Sequence, residues 1–241
     1  MNKALHILFV VFVLCEGAQA QIFSAGLRVG PNFSTMTNIV ENGQKRQLPT
    51  SLSAGIITRL RFDASDLVLE VNYEQKGYQV GLESSKNSYE RSTNQYIDLP
   101  LLYRQNIVNT EELGVYLEGG LYAAYWLNSK FEVVDTSLGA YKKTTTSVDI
   151  TKTDTKILYY QYDAGVILGT GLSHNIFGGN GELYLGFRLS YGLLEAMRYT
   201  AKLGSVRSEG SNNLVMGVTL GYFFNSVGKE KKFKYRHGPY Y

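Results

Sequence analysis

The chain has 241 residues, with 24 basic and 21 acidic side chains and a formal net charge of +3 at pH 7. That near balance excludes a nucleic-acid footprint, and a single cysteine, Cys15, excludes a disulfide framework. Nineteen tyrosines and 25 glycines against four prolines favour strands over helices.

The first twenty residues read as a cleavable export signal. Lys3 gives a positive start, Leu5 to Leu14 is an apolar run broken by His6, and Ala18-Gln19-Ala20 is a small-x-small cleavage site. Gln21 is then the mature N-terminus. The run is too short for a membrane-spanning helix, which needs ~20 residues. Leu14 precedes Cys15, where a lipidation signal carries a small residue, so Cys15 is expected to leave with the peptide.

Eight segments follow with a period of two, the mark of a strand with two different faces. The first, Phe23 to Phe33, sets Phe23, Ala25, Leu27 and Val29 against Ser24, Gly26, Arg28 and Gly30. The second, Leu52 to Phe62, sets Leu52, Ala54, Ile56, Leu60 and Phe62 against Ser53, Gly55, Arg59 and Arg61. The third, Leu67 to Gly77, sets Leu67, Leu69, Val71 and Tyr73 against Glu70, Asn72, Glu74 and Lys76. The fourth, Tyr96 to Arg104, sets Ile97, Leu99, Leu101 and Tyr103 against Asp98, Pro100 and Arg104. The fifth, Gly114 to Trp126, sets Val115, Leu117 and Leu121 against Tyr116, Glu118 and Tyr122. The sixth, Tyr160 to Leu172, sets Tyr162, Val166 and Leu168 against Gln161, Asp163 and Gly169. The seventh, Glu182 to Leu193, sets Leu183, Leu185 and Phe187 against Glu182, Tyr184 and Arg188. The eighth, Asn213 to Phe224, sets Leu214, Met216, Val218 and Leu220 against Asn213, Gly217 and Thr219.

Most of these reach the ~9–11 residues that cross a bilayer at a tilt. The links at 63–66, 105–112 and 173–181 are short, and those at 34–51, 78–95, 127–159 and 194–212 are long. Short periplasmic turns and long outer loops are the habit of outer-membrane barrels. The expected fold is therefore all-β, an eight-stranded antiparallel up-and-down transmembrane β-barrel. It occupies 21–225, after a signal peptide at 1–20 and before a basic periplasmic tail at 226–241. A soluble barrel or periplasmic carrier would alternate too, but its strands are usually shorter.

The polar faces hold six basic and six acidic side chains: Arg28, Arg59, Arg61, Lys76, Arg104 and Arg188 with Glu70, Glu74, Asp98, Glu118, Asp163 and Glu182. An eight-stranded barrel has room inside only for side chains. The equal balance predicts a lumen filled by paired charges rather than an open channel. Lumen glycines are expected to make room for arginines. Tyr73, Tyr103, Tyr125, Trp126, Tyr159, Tyr160, Tyr191, Tyr222 and Phe224 fall toward strand ends, where aromatic girdles meet the headgroups.

Several strings carry a family resemblance. AGLRVGPNFS (Ala25 to Ser34), LEVNYEQKGY (Leu69 to Tyr78), YIDLPLLYR (Tyr96 to Arg104), VYLEGGLYAAYWL (Val115 to Leu127) and YDAGVILGTGL (Tyr162 to Leu172) occur in that order. Together they resemble the PorT-like outer-membrane β-barrel proteins of Bacteroidota, a porin-named family. The resemblance implies an eight-stranded barrel in the outer membrane; one branch of the family serves protein secretion, and nothing in this chain selects that branch. The tail beyond Phe224 departs from barrels that end at a terminal aromatic.

No chemistry stands out. His174 is expected in a short periplasmic turn and His237 in the tail, so no histidine reaches the outer rim to activate a nucleophile. No catalytic, metal or cofactor-binding residue is expected. Gly165, Gly169 and Gly171 lack the following helix a phosphate cradle needs. The expected activity is non-enzymatic binding, assembly or envelope integrity, with a small-solute porin or a lipid-modifying enzyme as alternatives. The expected partners are outer-membrane lipid and a protein at the 128–158 loop, for a monomer. There the fifth and sixth strands are expected to continue as an exposed hairpin turning near Gly139.

Overall fold

The computed structural model describes residues 22–38, 44–62, 64–82, 88–110, 112–135, 142–148, 157–176, 181–199 and 210–225. They form β1 (Ile22–Met36), β2 (Gln44–Gln47), β3 (Thr50–Arg61), β4 (Ser65–Leu82), β5 (Tyr89–Asn109), β6 (Leu113–Asp135) and β7 (Lys142–Val148). Then come β8 (Ile157–Tyr159), β9 (Tyr162–Ile176), β10 (Gly181–Gly192), β11 (Met197–Tyr199), β12 (Gly210–Ser211) and β13 (Asn213–Asn225). The expected signal peptide and basic tail lie outside the described residues.

Eight of the strands close into a barrel in the order β1, β3, β4, β5, β6, β9, β10, β13, and every neighbouring pair is antiparallel. These are the eight alternating segments read from the sequence. Closure falls between the two ends of the barrel, where Ser24 to Met36 pairs with Asn225 to Asn213. A closed sheet leaves no unpaired edge, the condition for crossing hydrocarbon with strands.

The alternation is inside out. Leu27 is 56 % exposed beside Arg28 at 6 %, and Leu168 is 65 % exposed. Leucine, isoleucine, valine and phenylalanine from all eight strands make one continuous apolar belt, far beyond what a soluble monomer shows to water. Lipid is the solvent that belt fits. Exposed Phe23, Tyr103 and Phe224 ring one end, and Tyr125, Tyr162 and Tyr191 ring the other, with Tyr125 edge-on to Tyr162 at 5.7 Å. Trp126 is not in the girdle as expected. It follows Tyr125 by one residue, so it points inward, where it is buried and its Nε1 donates to Ser129 Oγ at 2.9 Å.

Two prolines sit within the wall. Pro100 keeps its pairing with Tyr122 on β6, but the β4–β5 ladder skips from Leu69–Leu101 to Asn72–Asp98. Pro31 keeps Leu52 on β3, and the β1–β13 ladder skips from Val29–Leu220 to Asn32–Gly217. A proline has no N–H to donate on the interrupted side.

The long links hold more strand than expected. β4 runs on to Leu82, β5 begins at Tyr89 and β6 runs on to Asp135. With β2 on β4 and β7 on β6, they make a five-stranded sheet, β2-β4-β5-β6-β7, that rises beyond one side of the barrel. Its base carries a bulge: Tyr96 pairs with Trp126 and Gln95 with Asn128, leaving Leu127 over. Bulges of this kind bend a strand at a barrel rim.

The partner of the β6 extension is β7, not the sixth barrel strand, which starts only at Tyr162 beside Tyr125. The threonine-rich Thr144 to Thr146 follows closely enough to pair locally, and a short loop closes at lower entropy than a long one. Asp135 pairs with Lys142 across the expected turn; Gly139 itself lies outside the described residues. A small sheet, β12-β11-β8, forms from the remaining outer links.

The closed barrel predicts a heat-modifiable protein. Unboiled and boiled samples should run at different positions on a detergent gel, and the protein should partition with the membrane fraction. Identical mobilities with recovery in the soluble fraction would contradict a closed membrane barrel.

Candidate functional site

The lumen-facing charges fall into three tiers along the barrel axis. The tier at the short-turn end, called periplasmic after the habit of outer-membrane barrels to keep short turns on that side, is built where β3 and β4 turn and where β10 begins. Arg59 donates through both terminal nitrogens to Glu182, at 2.8 and 2.9 Å, and Arg61 reaches the same carboxylate at 2.5 Å. Asp66 lies 3.8 Å from Arg59 and 3.5 Å from Arg61. The Arg59 guanidinium also stacks 3.9 Å from the Phe223 ring centre, a contact strengthened by exclusion of water.

The middle tier is a chain of five. Arg28 donates to Glu70 at 2.5 Å and to Thr219 Oγ1 at 3.0 Å. Arg188 makes a two-pronged contact with Glu70, 2.8 Å on each oxygen, and its Nε donates to Glu118 at 2.5 Å. Arg104 completes the chain on the other Glu118 oxygen at 3.0 and 3.2 Å, and stacks 3.9 Å over Tyr116. Planar guanidinium forks suit this two-pronged recognition of carboxylates.

The outer tier gathers on one ammonium. Lys76 Nζ lies 2.6 Å from Asp98, 3.3 Å from Glu74 and 3.8 Å from Asp163. It also sits over the Tyr122 ring at 4.3 Å. Tyr122 Oη and Asn213 Nδ2 donate to Asp163 at 3.0 and 2.8 Å, and Asn32 Nδ2 donates to Glu74 at 2.9 Å. Between the middle and outer tiers lies a water-sized cavity, walled by Arg28, Asn72, Glu74, Asp98 and Pro100 among others.

All twelve charges singled out in the sequence thus lie on the inner face, in contact with one another. Ten are buried; Arg61 keeps 29 % and Glu74 13 % of its side chain exposed. Sequence reasoning missed Asp66 by assigning it to a turn. Its parity with Val68 and Glu70, both buried, was the available signal. It also undervalued the tyrosines. Tyr96, Tyr116, Tyr122 and Tyr184 fill the space between the tiers.

The lumen glycines answer to those rings more than to arginines. A Cβ on Gly171 would stand 2.3 Å from Tyr116 Oη, one on Gly165 2.6 Å from Tyr122, and one on Gly221 2.2 Å from Tyr184. Gly169 does face Arg188 and Glu118, at 3.1 and 2.9 Å.

Toward the outer sheet, Met36, Tyr78, Val80, Tyr96, Trp126 and Ala196 are buried, part of an apolar cluster that runs through the interior as far as Phe223. Asn94, Ser92 and Ser129 lie buried among them. His174 is not in a turn as expected: β9 continues to Ile176, because 173–176 pair with 181–184 across the turn. His174 lies on the outward parity beside Leu172, at the periplasmic end. His237 is outside the described residues. No group of three His, Cys, Asp or Glu side chains among the described residues is placed to hold a metal ion.

The family model described as "Outer membrane protein beta-barrel domain" matches residues 18–196, ending before β13. Among solved structures, the chain is similar to the Neisserial surface protein A, at 11 % identity and a TM-score of 0.45, over 85 % of this chain and 97 % of that one. It is similar to the outer membrane protein OprG of Pseudomonas aeruginosa, at 11 % identity and 0.44, over 86 % and 96 %. It is also similar to Ail, the attachment invasion locus protein of Yersinia pestis, at 13 % identity and 0.38, over 85 % and 100 %. No curated protein matches the chain.

Breaking one member of the middle tier should unfold the barrel far more readily than trimming its rim. Glu118→Ala strands Arg104 in a water-poor interior and leaves Arg188 with Glu70 alone, a loss of ~3–5 kcal/mol for a fully buried pair. Arg61→Ala, partly exposed and backed up by Arg59, should lose under about 1 kcal/mol. Urea unfolding midpoints in detergent or lipid check the order; equal midpoints for wild type and Glu118→Ala would remove Glu118 from the network.

Proposed function

The chain belongs to the outer membrane protein β-barrel domain family, and we propose that it acts as a sealed, non-enzymatic barrel whose work is done by its outer strands. Within that family we assign it to the PorT-like group of Bacteroidota, on the order of its strand motifs. Its place is the outer membrane, and the task we assign is recognition, assembly or envelope integrity.

The observation that carries this reading is a filled lumen. Three tiers of paired charges occupy the barrel interior, and buried apolar side chains pack among them. A small-solute porin needs a continuous water path, which open channels obtain from ~16 or more strands. An enzyme needs a nucleophile or acid–base pair near its substrate, and the histidine among the described residues sits at the periplasmic end.

What remains available to a partner is the outer sheet. Among the described residues β7 pairs only with β6, so its far edge presents main-chain donors and acceptors. Such an edge accepts an added strand by backbone hydrogen bonds. The sheet is anchored by long pairings, Tyr89 to Gln95 on β6 and Gly77 to Gly81 on β5, so the edge is held rigidly. A rigid edge spends less entropy on binding than a disordered loop.

Two experiments test the proposal. In planar bilayers the purified barrel should give no sustained channel steps; reproducible steps would favour the porin reading. The second removes β7. Lys130 and Ser147 are cross-strand partners, so Phe131 to Thr146 can be replaced by Asn-Gly, which closes a two-residue hairpin. The variant should insert normally and lose whatever surface binding or phenotype the full deletion strain loses. Wild-type behaviour in every such assay would clear the outer hairpin of the role.

A further inference from the structure

The three tiers do not balance. Among the described residues of the barrel wall, the periplasmic tier holds Arg59 and Arg61 against Asp66 and Glu182, and is neutral. The middle tier holds Arg28, Arg104 and Arg188 against Glu70 and Glu118, one positive charge in excess. The outer tier holds Glu74, Asp98 and Asp163 against Lys76 alone, two negative charges in excess. The interior as a whole is left one negative charge over. An uncompensated charge out of water is so unfavourable that the group neutralises or finds a counter-charge.

We infer that the folded barrel binds one proton in its outer tier, held on the Asp98–Glu74 carboxyl pair at neutral pH. Lys76 Nζ faces both carboxyls, 2.6 Å from Asp98 and 3.3 Å from Glu74, and reaches Asp163 at 3.8 Å, so one ammonium answers three buried or nearly buried carboxyls. Asp98 is the better holder. Glu74 already accepts from Asn32 and Asp163 from Tyr122 and Asn213. Asp98 has Lys76 on Oδ2 and no hydrogen-bond partner on Oδ1; Asp163 Oδ1 also lacks one, but Asp163 does not line the cavity. Asp98 belongs to the wall of the water-sized cavity, as do Asn72 and Arg28, whose Oδ1 and Nε also lack a hydrogen-bond partner. A proton makes Asp98 a donor, and one water in the cavity can link it to Asn72.

The groups packed around the pair come from every side of the barrel. β4 brings Glu74 and Lys76, β1 brings Arg28, β5 brings Tyr96, and β6 brings Tyr122. β9 brings Asp163 and β10 brings Arg188. Of these the fixed cations are already spent: Arg28 and Arg188 are committed to Glu70 and Glu118.

The consequence is a signed pH dependence. In the unfolded chain both carboxyls are ionised above about pH 5. The native state then carries one more proton than the unfolded state. Its stability should fall as pH rises, with the folding constant dropping about tenfold per pH unit, until the native barrel releases the proton.

Infrared spectroscopy of the full mature barrel in lipid tests this. Wild type at pH 7 should show a carboxylic-acid carbonyl band that shifts in D2O. Asp98→Asn supplies a neutral isostere with a donor in the same place. It should fold, remove the band and flatten the pH slope of the urea midpoint. Glu74→Gln should do the same, while Glu118→Gln should keep the band. Absence of the band in wild type would overturn the inference, as would its survival in both outer-tier variants. Failure of Asp98→Asn to fold would also overturn it, since a neutral group must be acceptable there. A missing band together with stability that follows sodium at constant ionic strength would replace the proton with a metal ion.

Discussion

Everything in this barrel depends on pairing charge where water is scarce. The wall turns its apolar side chains to lipid, so the polar ones have only the lumen, and the lumen of eight strands is too narrow to hydrate them. Each arginine therefore has to land on a carboxylate brought by a different strand. Arg188 of β10 grips Glu70 of β4 and Glu118 of β6 at once, tying three strands that are not neighbours in the wall. Such pairs add little net stability over apolar packing, but losing half of one is severe. They act as registration: a strand slipped by one residue would turn its charges to lipid.

The tyrosines and glycines follow from the same constraint. The tiers leave space between them that flat rings fill, and each ring needs room over its partner on the neighbouring strand. Gly171, Gly165 and Gly221 provide it beneath Tyr116, Tyr122 and Tyr184. Arg104 and Lys76 then rest on ring faces, where a cation keeps partial compensation without a second carboxylate. Packing and electrostatics in this interior are one arrangement.

On the function proposed above, a filled interior leaves the outer strands to do the work. Among the described residues, β4, β5 and β6 continue past the rim, where a bulge at Leu127 redirects the strands. The result is a sheet in which β7 pairs, among those residues, only with β6. A rigid edge of this kind suits capture of an extended segment better than transport of a solute.

The sequence by itself determined the eight strands, their two faces and the twelve inward charges. Period-two alternation is a local property, and a side chain's face follows from its parity along the strand. It did not determine which acid meets which base, because Arg59 and Glu182, 123 residues apart, become neighbours only once the barrel closes. Nor did it reveal that Trp126 is buried, that Asp66 joins the periplasmic tier, or that β6 turns back on β7 rather than on β9. Those outcomes depend on register across closed strands, on the bulge at Leu127 and on which nearby segment reaches an open edge first. The surplus negative charge is legible only after the tiers are assembled, since twelve charges that balance along the chain do not balance layer by layer in space.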